Sequence, residues 1–143
     1  MNKARLIVTI IVVFVLANFL GFFVHEIWLK QDYILVANLY RPEGQEKMLW
    51  ISLGYLAFAV GSVWVYAHGV EASKPSWAQG LRFGVLMWLI LIVPWFFIAY
   101  AVQPIPFLLM TKQVLSEFVA KLVLGVVTAL VYGKNRLGMF PQS

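Results

Sequence analysis

Apolar residues in this chain do not alternate with polar ones; they run on without interruption. Residues 6–24 carry no charge, and neither do residues 48–67 or 83–102. Residues 114–132 are broken only by Glu117 and Lys121. A helix crossing a bilayer needs about 20 mostly apolar residues, whereas the strands of a membrane barrel are about 10 residues of alternating character. The pattern therefore predicts an all-α membrane protein, a bundle of four antiparallel transmembrane helices. Their expected spans are about 6–28, 48–67, 82–102 and 114–133, within a single transmembrane domain over residues 1–143.

The connections are unlike one another. Residues 68–80 are polar and hold Lys74-Pro75-Ser76, which predicts an ordinary turn-rich loop. Residues 30–46 include Tyr33-Ile34-Leu35-Val36 and are long for a hairpin, so a short interfacial helix is expected there. Residues 103–110 contain Pro104 and Pro106, which interrupt regular helix and predict a re-entrant element or an interfacial cap. Pro94 predicts a kink in the third span that frees the carbonyl of Ile90. The first run follows Lys3 and Arg5, as a secretory signal would. Its apolar stretch exceeds the usual 7–15 residues and no small-residue cleavage pattern follows, so a retained helix is expected.

Composition strengthens this picture. The 143 residues are 62% hydrophobic and 12% charged, against about 45–50% and about 25% in soluble domains. With no cysteine, a disulfide scaffold, thiolate metal sites and CxxC redox chemistry are excluded. The net charge of +5 suits anionic lipid headgroups. No basic run or RNA-binding motif is present, so the expected partner is the lipid bilayer and not nucleic acid. With a cytoplasmic N-terminus, Lys3, Arg5, Lys74, Arg82, Lys134 and Arg136 fall inside, and Lys30, Arg41, Lys47 and Lys112 outside. That bias places both termini on the cytoplasmic side of a bacterial-type inner membrane. Trp28, Tyr33, Trp50, Tyr66, Trp77, Tyr100 and Tyr132 lie near span ends and read as aromatic belts.

Small residues mark where helices approach closely in lipid. Gly125, Ala129 and Gly133 recur every four residues in the fourth span; Ala17 and Gly21 form a pair in the first, and Ala57 and Gly61 in the second. Extending the ladder of the fourth span backward reaches Lys121 and then Glu117. Each step of four rotates by about 40°, so charges and small residues share a slowly drifting face. That face is expected to point into the bundle or into a contact with another copy or another membrane subunit.

Ionisable residues inside such spans are costly and often mark function. The first span ends with His25 and Glu26 where the fourth begins. There Glu117 would lie about 5 Å and Lys121 about 10–12 Å below the outer end, at 1.5 Å per residue. With Asn18 and Gln103, these residues define an expected polar pocket near the outer leaflet. The pair itself is either a structural ion pair fixing helix register or a proton or ligand site. His25 and Glu26 point about 100° apart on a helix. The other histidine, His68, lies at the opposite end of its span, so no metal site is assigned. A lone axial-ligand role for His25 stays open, and no particular cofactor is specified. GxSxG, HExxH, P-loop and GxGxxG motifs are absent, and no catalytic residue is assigned. The expected function is a non-enzymatic accessory subunit or binder of a lipid-like molecule. The alternatives are a small oligomeric transporter or proton pathway using Glu117 and Lys121, and a cofactor or metal protein using His25 and Glu26.

Overall fold

The computed structural model describes residues 2–71 and 74–133, and every regular element among them is helical. Four of the helices are long and apolar enough to cross a membrane. They are α1 (Lys3–Trp28), α3 (Met48–His68), α4 (Ser76–Val102) and α5 (Phe107–Gly133), with the short α2 (Lys30–Ile34) after α1. A turn of 3-10 helix at Ala37–Leu39 follows α2. The expected helix in residues 30–46 is thus a five-residue helix plus this turn, and Gly44, with φ of 83°, lets the chain reverse toward α3. Lys134 and Arg136, two of the cations that set the expected orientation, lie outside the described residues.

Two helices begin earlier than hydropathy predicts. α4 starts at Ser76, directly after Pro75, and not near residue 82. Arg82 does not break it, because its side chain stays exposed while Gly80 and Gly84 turn inward. Gln79 anchors the start: its amide donates to the carbonyls of Glu71 and Lys74 and accepts from the Glu71 N–H. α5 starts at Phe107 and not near residue 114. The expected re-entrant or cap element reduces to a connection at 103–106; Pro104 and Pro106 precede the helix, where a missing N–H costs nothing. The expected disturbance at Pro94 takes the form of a π turn, Trp88–Ile92, in which the Val93 N–H reaches five residues back to the Trp88 carbonyl. A second π turn, Phe23–Trp28, ends α1 and carries His25 and Glu26.

The interior is narrow and built largely from small side chains. Val13, Ala17, Ala59, Val63 and Leu124 join α1, α3 and α5 at mid-length. Tyr66, Ala129 and Tyr132 close one end. Val24, Leu29, Val36, Ala99, Ile105, Leu109 and Met110 close the other. Large apolar side chains such as Phe19, Trp64, Phe97 and Ile98 face outward instead. The tightest contact is between α4 and α5. A Cβ at Gly84 would stand 2.5 Å from the Lys121 carbonyl oxygen, and one at Gly80 would stand 2.6 Å from the Val126 Cα. Gly125 meets Gly80 and Gly84 from the other side. The ladder Gly125, Ala129, Gly133 therefore faces α4: Gly125 and Ala129 are buried and Gly133 abuts Ser76. In α1, Ala17 is buried and Gly21 leaves the space that the Tyr55 hydroxyl fills.

The α3 expectation is corrected for packing within the chain. Ala57 and Gly61 are exposed, and a Cβ at Gly61 would meet nothing within 4 Å. α3 turns Ala59, Ser62 and Val63 inward instead. The two faces differ little in apolarity, so side-chain size alone did not identify the buried one.

Candidate functional site

The π turn at the end of α1 brings His25 against α2 and α5. The His25 Nδ1 lies 2.6 Å from the Tyr33 hydroxyl, and the Gln113 amide donates to that same hydroxyl at 2.7 Å. With one lone pair filled by Gln113, the phenolic O–H is free to donate to Nδ1. The other ring nitrogen, Nε2, faces the Glu117 carboxylate at 3.8 Å. Glu117 in turn accepts from Lys121, one helical turn further on. The Lys121 ammonium also stands 5.1 Å from the centre of the Phe58 ring, a cation–π arrangement. One continuous chain of polar groups thus runs Gln113, Tyr33, His25, Glu117, Lys121.

The charged pair does not share its neighbours with the small-residue ladder, which meets α4. The Glu117 and Lys121 side chains are 18% and 11% exposed, turned toward α1 and α3. Their position along the helix needs correction. Because α5 begins at Phe107, Glu117 and Lys121 lie about 15 and 21 Å from its start, near mid-length. Burial pushes the Tyr33 phenol up to about 12, with nearby carboxylates adding and the Gln113 hydrogen bond opposing. Tyr33 therefore stays protonated, and a donor, throughout the physiological range. Gln113 is buried, and its Oε1 has no partner among the described residues.

The remaining expected site residues divide. Glu26 is exposed on the rim of a cavity next to His25. Asn18 does not join the network; its amide donates to the Phe14 carbonyl, and its oxygen faces the Ser52 hydroxyl at 3.5 Å, linking α1 to α3. Gln103 is exposed at the end of α4, and Gln113 takes the place foreseen for it. Tyr33 and Gln113 were missed as site residues. Tyr33 looks like any interfacial tyrosine in sequence, and the α2 turn that folds it back on His25 has no clear signal. Gln113 falls at the same surface as Gln103 in sequence, just outside the predicted fourth span, and nothing in the pattern favours it over Gln103.

The cavity has a volume of about 740 Å³, within the range of small-molecule sites. His25 and Tyr33 form one wall, and Ile34, Leu39, Trp50 and Ile51 supply apolar surface. Lys112 and Asp32, 2.7 Å apart, tie α2 to α5 and hold that wall in place. Among the described residues, no three His, Asp or Glu side chains converge as a metal site requires. His25 has both ring nitrogens facing Tyr33 and Glu117, so ligating an ion would break a contact on one side.

Tyr33→Phe tests this wiring. It removes the hydrogen bond that the Gln113 amide donates, and an unsatisfied buried amide costs about 1–3 kcal/mol. The expected result is an unfolding free energy in detergent lower by that amount, and with it a lower midpoint, with helix content unchanged. An unchanged midpoint would show that the network contributes nothing to the fold.

No family model, curated protein or solved structure matches this chain.

Proposed function

We propose that this is an integral membrane protein of four antiparallel transmembrane helices that binds a lipid-like molecule from the outer leaflet. It acts there as a binder or accessory subunit, with both termini cytoplasmic in a bacterial-type inner membrane. The observation that carries this reading is the 740 Å³ cavity at the His25 end, where apolar walls meet a charged rim. That end lies where four apolar helices would meet the headgroup layer, and a cavity opening there is reached more readily by an amphiphile than by a water-soluble solute. Association with another copy or another subunit has its best surface on α3, where Gly54, Ala57 and Gly61 stand exposed along one side.

The transport alternative gains less support. Between Lys121 and Tyr132 the one polar side chain of α5 is Thr128, whose hydroxyl donates to its own helix at Leu124. The other buried hydroxyls of that half, Thr9 and Ser62, likewise donate to their own helices, at Arg5 and Ala59.

Native mass spectrometry of the full chain in mild detergent tests the proposal. The protein should retain phospholipid. Ala37→Trp, placed in the cavity wall, should lower retention about tenfold, the equivalent of about 1.4 kcal/mol of binding, with helix content unchanged. Absence of bound lipid, or retention unchanged by Ala37→Trp, would contradict it.

A further inference from the structure

The rim of the cavity carries both signs of charge in equal number. Lys30, Arg41 and Lys47 face Glu26, Glu43 and Glu46 around one opening. Lys30 and Glu43 satisfy each other at 3.1 Å. That leaves Arg41 and Lys47 as cations, and Glu26 and Glu46 as carboxylates, with no ion-pair partner among the described residues. Two aromatic rings, Tyr33 and Tyr40, meet edge to face at 5.2 Å in the same wall, with Trp50 also lining the opening.

These groups select among lipid headgroups. A guanidinium presents a planar fork that matches two phosphate oxygens, and an ammonium beside it adds a point charge. A purely anionic headgroup would be attracted to Arg41 and Lys47 but would bring its charge beside Glu26 and Glu46, a like-charge juxtaposition. A headgroup bearing a phosphate and an ammonium can meet both sets at once. The tyrosine and tryptophan faces favour the ammonium further through cation–π attraction.

The geometry points to a zwitterionic phospholipid as the occupant, its phosphate against Arg41 and Lys47 and its ammonium against Glu26, Glu46 and the aromatic wall. This rests on the lipid-binding reading above and sharpens it. The acyl chains leave past Trp50 and Ile51, the apolar α3 side chains that line the cavity, into the surrounding bilayer.

The test uses the full chain exchanged into equimolar mixtures of phosphatidylethanolamine, phosphatidylcholine and phosphatidylglycerol of identical acyl chains, with bound species weighed by native mass spectrometry. Both zwitterionic lipids should be retained about tenfold or more over phosphatidylglycerol. The double variant Glu26→Gln/Glu46→Gln should erase or invert that preference. Arg41→Gln/Lys47→Gln should lower retention of all three. All four side chains are exposed, so the fold tolerates their neutralisation, and the wild-type preference stands as a readout even without the variants. Equal retention of the three lipids, a wild-type preference for phosphatidylglycerol, or a preference untouched by Glu26→Gln/Glu46→Gln overturns the headgroup assignment while leaving lipid binding intact. Loss of every lipid class, or indifference to Ala37→Trp, overturns lipid binding itself.

Discussion

Glu117→Gln is expected to destabilise the protein by about 3–5 kcal/mol, the usual cost of stranding one member of a buried ion pair. Among the described residues Lys121 has a single carboxylate partner, Glu117, and its side chain is 11% exposed. Removing that carboxylate leaves an ammonium held between helices with the Phe58 ring beside it. The converse change should be milder. Lys121→Leu leaves Glu117 facing His25 at 3.8 Å, and the expected loss is about 1–3 kcal/mol, with the bundle still folded. Replacing both, Glu117→Leu with Lys121→Leu, should recover most of the stability lost in Glu117→Gln, because paired apolar replacements of a buried ion pair are often neutral. Unfolding by denaturing detergent in mixed micelles measures all three. A double variant no more stable than Glu117→Gln would mean that the two groups do not depend on each other as the geometry implies.

Gly84→Ala should also destabilise the bundle, through packing and not charge. The added methyl would stand 2.5 Å from the Lys121 carbonyl oxygen and 2.9 Å from the Leu122 Cα, both backbone atoms that cannot swing aside. α4 and α5 must then separate, at a cost of about 1–3 kcal/mol for an overpacked contact, and Lys121 moves with them. Gly54→Ala supplies the contrast. Nothing lies within 4 Å of its added methyl, and alanine is favoured over glycine inside a helix by roughly 0.5–1 kcal/mol. The same substitution should therefore destabilise at residue 84 and be neutral or stabilising at residue 54. Two equal responses in the unfolding assay would contradict the close α4–α5 contact.

The four apolar helices were legible in sequence because an uncharged apolar run of about 20 residues suits a bilayer span and little else. The four-residue repeat from Glu117 to Gly133 was legible too, but its drift turns the charges to α1 and α3 and the small residues to α4. What remained hidden had physical causes. Gly80 and Gly84 are a small-residue pair at the same spacing, but Arg82 between them lowered local hydropathy and moved the predicted helix start past the first of them. Phe107 to Gln113 was masked by Pro104 and Pro106, which mark a helix start as readily as a loop. Ala57 and Gly61 matched the packing pattern yet face outward, because that pattern cannot tell a neighbouring helix from a neighbouring molecule. The polar chain was half visible. His25, Glu117 and Lys121 stand out as charges and imidazole in oil, whereas Tyr33 and Gln113 enter only through the fold of residues 29–36 over the end of α5.

The most direct measurement is a density map of the full chain in a lipid nanodisc. The Glu117 carboxylate should lie between Lys121 and His25, shielded from acyl chains by α1 and α3. Elongated density should enter the cavity beside Tyr33 and Trp50. Side chains at 117 and 121 turned toward the acyl region, or a collapsed cavity with lipid confined to the outer belt, would contradict it.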